Sequence, residues 1–434
     1  MTNEPRADDQ DKPTIYAIDF GTSNSLLAAA NKSAVFPPVP LDAAAEDPTI
    51  MRSILYFPSA KECFVGQEAL TKYVEHGLEG RLLRSLKRHL PARGFRGTYI
   101  DDRPMLVEDL VAVPLREMRK RANAHFGVDV KRAVLGRPAR FSSEDADDDF
   151  AERRLRSAAE RAGFEEVHFL PEPVAAAQEF RQAFTRGDEH TVVVCDFGGG
   201  TSDFTVLRMG KKAFHRDDVL AIGGVPLAGD ALDASIMRKH VAKHFGAEVS
   251  YRVPLGNNVL TMPKHVIEQL CSPAHLSILR RPDIAEFLRN VRSWSLGGDD
   301  QEKLDQLTTL VDDALGFQLF EVIEGAKKAL SKRDDVPIDF SYPDIEVHDH
   351  VTRQGFETSA ERPIETILEC LDQTVAASGI APGDVDLVCC TGGTAKVPRI
   401  ASEIAARFGR DRMRDFENFH SVVQGLAHHA QTLA

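Results

Sequence analysis

The sequence has 434 residues, more than one ordinary domain and enough for two separate hydrophobic cores. Hydrophobic residues make up 43% and charged residues 27%, a globular balance, and the net charge of −13 argues against a nucleic-acid-binding face or adhesion to anionic membranes. No apolar run approaches the about 20 residues that a membrane-spanning helix needs.

Residues 1–12 are polar and charged and read as a short disordered tail without the apolar stretch of a signal peptide. Residues 14–20 form an apolar run ending at Asp19 and Gly21, a strand entering a turn. A second strand is expected over 134–141. The acidic run 142–149 then suits a helix start, with Ser at the cap and carboxylates in the first turn, and that helix should stop near Gly163. Glu172-Pro173 opens another helix, with Pro at its first position, which should end near Gly187.

Residues 191–195 are a fully apolar strand. Asp196-Phe197-Gly198-Gly199-Gly200-Thr201-Ser202-Asp203 turns it into a second strand over 204–209, which makes a β-hairpin. Residues 247–305 carry prolines, glycines and short helical patterns and read as a mixed insertion. Leu304, Leu307, Val311, Leu315, Leu319, Val322, Ala326 and Leu330 recur at spacings of three and four, which predicts one helix over 304–331. Glu324, Lys327, Lys328 and Ser331 share its opposite, polar stripe. A buried strand is expected over 385–391, before Gly392-Gly393. His348, His350, His428 and His429 have no metal-site spacing. The six cysteines form no C-x-x-C pair and read as reduced core thiols of a cytoplasmic protein.

Neither G-x-x-x-x-G-K-[ST] nor G-x-G-x-x-G occurs. Instead the first strand ends in Asp19-Phe20-Gly21-Thr22-Ser23-Asn24-Ser25, which matches the chemistry of the 196–203 hairpin. In each, a strand ends in an Asp able to face a hydrated cation. Glycine follows where a backbone N–H must approach an anion, and hydroxyls able to donate to phosphate complete the turn. Two such turns can grip a polyphosphate from both sides. The third glycine element is Thr391-Gly392-Gly393-Thr394-Ala395-Lys396.

With AIDFGTSNS (17–25), LGRPARF (135–141), PEPVAAA (171–177), VVVCDFGGGTSDF (192–204), EGAKKALS (324–331) and CTGGTAKVPRI (390–400) in this order, the chain resembles the actin-like ATPase superfamily. Within it, the resemblance is to the DnaK-type heat-shock chaperones, in the short, YegD-like group, and it covers residues 14–430. It implies an α/β, actin-like (ribonuclease H-like) fold with two lobes around a nucleotide cleft. Residues 13–190 would be lobe I, 191–405 lobe II with the insertion at 247–305, and 406–434 a segment returning to lobe I. It also implies slow hydrolysis of ATP with Mg²⁺, and protein clients or cochaperones as partners.

By the same resemblance Asp19 and Asp196 would hold Mg²⁺ through water. Gly21, Thr22 and Ser23 would bind phosphate from one side, and Gly198, Gly199, Gly200 and Thr201 from the other. Lys87, Glu172, Asp196 and Thr201 would form the catalytic set, with Lys87 offsetting terminal-phosphate charge and Glu172 orienting water and metal. Glu324, Lys327, Lys328 and Ser331 would contact ribose and adenine, together with Gly392, Gly393, Thr394 and Lys396. Read without the resemblance, Arg81, Arg84, Arg88, Arg93 and Arg96 around Lys87 suggest a surface basic helix instead.

The sequence also departs from the family. Ile50-Met51-Arg52-Ser53 stands where relatives carry Thr-Thr-Pro-Ser near the terminal phosphate. Ala146 stands where an arginine relay partner of Pro138 is expected, and Lys328 and Lys396 replace two adenine-flanking arginines. No β-rich peptide-binding domain or hydrophobic linker follows within the sequence, so client binding of the family's kind is not expected. The alternatives are an actin-like filament or scaffold ATPase and, with no dedicated substrate loop in view, a sugar or carboxylate kinase of the same fold.

Overall fold

The computed structural model describes residues 12–434 except 78, 142–143, 179–188, 211–215, 273–274, 314 and 416–419. Two sheets of matching strand order organise the chain. The first contains β1 (Ile15–Phe20), β2 (Asn24–Ala30), β3 (Val35–Phe36), β4 (Arg132–Arg137) and β5 (Glu166–Pro171), in the order β5-β4-β1-β2-β3, with Met51–Arg52 also pairing β2. The second contains β6 (His190–Phe197), β7 (Ser202–Met209), β8 (Val219–Val225), β9 (Leu387–Thr391) and β10 (Met413–Asp415), in the order β10-β9-β6-β7-β8. In each, the central strand pairs antiparallel with the next strand in sequence, β1 with β2 and β6 with β7. On its other edge it pairs parallel with a later strand, β1 with β4 and β6 with β9.

Side chains alternate across a strand, so each sheet feeds two cores. Ile15 and Ala17 face a shared core with Val192 and Val194 of the second sheet, while Tyr16 and Ile18 face another. Helix α1 (Val107–Phe126) and α2 (Asp145–Arg161) cover the outer face of the first sheet. The shared core between the sheets is filled by Val174–Ala177 of α3 (Glu172–Gln178), together with Val423, Leu426, Ala427 and Ala430 of a C-terminal helix, Ser421–Leu433. Helix Glu361–Ala377 packs on the far face of the second sheet, and α4 (Gly229–Ile236), α5 (Asp300–Asp312) and α6 (Gly316–Leu330) belong to the same core. Strands buried on both faces need continuous apolar runs, as Val192–Cys195 provide.

The strands expected near 14–20, 191–195, 204–209 and 385–391 form, whereas the one expected over 134–141 stops at Arg137, before Pro138. Helix α2 ends at Arg161, and Gly163 adopts φ +97°, as a residue just past a helix end does. The expected tail, the Ser cap at 142–143 and the helix end near Gly187 lie outside the described residues. The single helix expected over 304–331 is two helices, α5 ending at Asp312 and α6 beginning at Gly316. A Cβ on Gly316 would sit 1.9 Å from Leu276 Cδ2, so the chain re-enters a helix there by passing tightly over that side chain. The apolar repeat runs through the break because both helices bury the same face in one core, as Leu304, Leu307, Leu319 and Ile323 show.

The insertion consists of short helices at Lys264–Leu270 and Pro282–Trp294 and a two-residue strand pair, Ser250–Tyr251 with Leu260–Thr261. All six cysteines are free thiols, four of them buried. Met413–Asp415 adds to the second sheet, so of the segment expected to return to the first half, Ser421–Leu433 is the part that packs against β1 and β2. Among the described residues, no helix is long and apolar enough to cross a membrane.

Candidate active site

The two hairpins β1–β2 and β6–β7 end in the two glycine turns. The last registered pairs are Phe20 with Ser25 and Phe197 with Ser202, so Gly21–Ser23 and Gly198–Thr201 form the tips. The second tip is closed by the Gly198 N–H donating to the Thr201 carbonyl at 2.8 Å. A Cβ placed on Gly199 would lie 2.8 Å from Ser23 Oγ, so the tips face one another closely.

Lys87 and Glu172 meet beside the tips. Ser85 takes a left-handed φ of 55°, which turns the chain out of the strand Arg81–Arg84 into a 3₁₀ turn over Leu86–His89. This turn points Lys87 inward, and the residue is only 8% exposed. The surface basic helix considered above is therefore not what forms. Glu172 begins α3 directly after β5, and Lys87 Nζ donates to Glu172 Oε1 at 2.5 Å.

The site is crowded with carboxylates. Burial and then the neighbouring Glu172 push Asp19 up to about 8, Lys87 acting the other way and Asp196 adding to the rise. Burial raises Glu172 as well, against the pull of Lys87. Asp203, across the hairpin from Asp196, rises to about 6 through burial and then Asp196. Burial alone would lower the Lys87 ammonium, but Glu172 and Asp19 outweigh it and raise it. Asp196 accepts a 2.5 Å hydrogen bond from the Thr391 hydroxyl of β9. One ammonium thus serves several carboxylates, an excess of negative charge that suits a divalent cation. Among the described residues, no three His, Cys, Asp or Glu side chains are grouped for direct metal ligation.

On the second side, Lys327 of α6 reaches the Asp233 carboxylate of α4 at 2.8 Å and the Gly229 carbonyl at 3.3 Å. Glu324 pairs with Lys328 at 2.9 Å; burial opposes its ionisation, but Lys328 and Lys327 outweigh that and lower it. Ser331 is the C-cap of α6. Thr394 is buried against α4, 3.6 Å from where a Gly229 Cβ would lie, while Lys328, Gly393 and Lys396 are exposed. The profile of the Hsp70 protein family matches residues 95–264 and 301–434, well over half of the chain.

The chain belongs to the Hsp70 family. Chaperone protein DnaK of Thermosipho africanus is 25% identical over 433 residues, covering 98% of this chain and 60% of that protein. DnaK of Thermosipho melanesiensis is 24% identical over the same shares. DnaK of Thermotoga neapolitana is 24% identical over 437 residues, again 98% and 60%. The chain thus spans about 60% of the length of these relatives.

Several residues of this Hsp70-family site escaped the sequence reading. Ser53, at the end of the departing 50–53 segment, donates its hydroxyl to the Gly21 carbonyl at 2.8 Å and its N–H to Ser23 at 2.8 Å, bracing the first tip. Asp230 places its carboxylate against the second tip, 3.5 Å from a Gly199 Cβ position. Asp230 and Asp233 follow Gly229 at the start of a helix, a spacing that could have flagged them as one acidic face. Arg137, next to Pro138, binds Asp148 at 2.6 Å and Glu152 at 2.8 Å, tying β4 to α2 beside the expected relay position.

Proposed function

We propose that the protein binds ATP with Mg²⁺ between two lobes and hydrolyses it slowly, as a chaperone-type ATPase of the cytoplasm. The observation that carries this is the Lys87–Glu172 pair at 2.5 Å, set beside Asp19 and Asp196 at the roots of two equivalent glycine turns. In this reading the two sheets organise the lobes, with the chain crossing from one to the other near residue 190. Gly21, Thr22 and Ser23 hold phosphate on one side, and Gly198, Gly199, Gly200 and Thr201 on the other.

Asp19 and Asp196 hold hydrated Mg²⁺, which supplies charge neutralisation at the phosphates. Lys87 offsets charge at the terminal phosphate. Glu172 orients the attacking water and keeps Lys87 in place. Glu324, Lys327, Lys328 and Ser331 face the ribose and base, with Gly392, Gly393, Thr394 and Lys396 on the other side. Titration calorimetry tests the reading: Mg-ATP should give saturable binding that EDTA abolishes, and no heat with Mg-ATP would end it.

Adenine affinity gives a second measurement. A guanidinium stacks on a flat base, whereas an ammonium is a hydrated point charge. Lys328→Arg with Lys396→Arg should tighten ADP and ATP by similar factors, worth about 0.5–2 kcal/mol. A gain for ATP alone, or none for either, would remove these residues from the base.

A further inference from the structure

The strand that leads into Lys87 carries an arginine to which the reading above gives no task. Arg84 ends Arg81–Arg84, which pairs antiparallel with Ile54–Ser59 and sets Arg84 opposite Ile54. Arg52 ends the strand Met51–Arg52, two residues before Ile54. Both guanidiniums reach the same ring, Phe317 in the first turn of α6, with Cζ atoms 5.5 Å (Arg52) and 5.4 Å (Arg84) from its centroid.

The two differ in their partners. Arg52 binds Glu321 at 3.1 Å. The Arg84 side chain makes no hydrogen bond or ion pair among the described residues, and its Nε is buried without a partner. Burial and then Arg52 hold the Arg84 guanidinium below its usual range, while Asp230 and Glu321 act the other way. A partly buried cation without a hydrogen-bonding counterion, beside a like charge, is unfavourable on both counts. A guanidinium over an aromatic ring can still offer N–H donors, and such donors take a tetrahedral oxyanion in two parallel bonds.

The position is beside the glycine turns. Arg52 pairs with Asn24, directly after the first tip. Asp230, whose carboxylate is felt by Arg84, lies against Gly199 and Gly200 of the second. Lys87 turns inward to Glu172, whereas Arg84 points to Phe317 on the other half of the chain. We propose that Arg84, supported by Arg52, is a binding position for inorganic phosphate beside the glycine turns, taking the dianion after its release from the nucleotide; as the origin of that phosphate, this rests on the ATPase reading. Arg84 makes and breaks no bond in this role. It would hold phosphate while nucleotide diphosphate is still bound, and so set how fast phosphate leaves.

The test is calorimetric titration of inorganic phosphate into the full chain, with and without saturating Mg-ADP, for the wild type, Arg84→Gln and Arg84→Lys. The wild type should bind phosphate saturably. Arg84→Gln should weaken phosphate by about tenfold or more with ADP affinity unchanged, and Arg84→Lys should recover part of the loss. No wild-type phosphate binding, unchanged phosphate affinity in Arg84→Gln, or a parallel fall in ADP affinity overturns the proposal. So does a loss of ATP affinity without a loss for free phosphate, which would assign Arg84 to the phosphate still attached. If the wild type takes phosphate through Arg84 but gives no heat with Mg-ADP, the anion position stands and the nucleotide reading fails.

Discussion

Lys87→Ala should reduce single-turnover hydrolysis by about 10²–10³-fold while changing Mg-ATP affinity only a few fold, because a preorganised charge acts most where charge develops. The same substitution should destabilise the fold. It leaves Glu172, bonded to Lys87 at 2.5 Å, without its counterion in a site that already raises its carboxyl. Breaking a buried pair from one side costs about 3–5 kcal/mol. The sign of the pH dependence follows. A carboxyl raised in the folded state binds its proton more tightly there than in the unfolded chain, so stability falls as pH rises from its ordinary 4.5 through the raised value. Without Lys87 that rise should grow, and the variant's deficit should be larger at alkaline than at mildly acidic pH. Glu172→Gln in the same background should recover stability but not hydrolysis. Wild-type rates in Lys87→Ala would show that the ammonium serves the fold alone.

The two hairpins were legible because everything they need is local: an apolar strand, an Asp at its end, then glycine and hydroxyl residues in the turn. Lys87 was not legible in that way. Its neighbours are arginines, and the features that bury it are the left-handed Ser85 and a carboxylate 85 positions later, neither of which periodicity reports. The resemblance pointed to Lys87 where local chemistry pointed to a solvent-facing helix. The α5–α6 break was hidden for the opposite reason, since a continuous apolar repeat is what two consecutive helices on one core also produce. The hairpin Asp335–Tyr342 with Ile345–Thr352 carries a readable alternation, Val336, Ile338 and Phe340 inward, that the neighbouring helix pattern overshadowed. Phe317, Arg84 and Arg52 come from separate segments, and only the folded chain brings them together.

Gly392→Ala should lower stability by about 3 kcal/mol or more, whereas Gly393→Ala should change it by less than about 1 kcal/mol. The sequence assigns both glycines to one ligand-facing turn, but the structure separates their tasks. Gly392 has φ 85° and ψ 164°, a region essentially closed to residues with a side chain, and its Cβ would lie 2.0 Å from the Phe197 carbonyl oxygen. The obstacle is backbone, so no rotamer change relieves it. Either β9 or the end of β6 must move, and Phe197 leads directly into Gly198. Gly392→Ala should therefore weaken nucleotide binding as a consequence of the damaged fold. Gly393 has nothing within 4 Å of a Cβ and lies outside the positive-φ set. An alanine there meets a ligand or nothing. Thermal unfolding and ADP titration of the two variants separate the cases. Weakened ADP binding in a fully stable Gly393→Ala places the turn against the base; unchanged binding means that Thr391–Thr394 serves only to pack the end of β9 against β6.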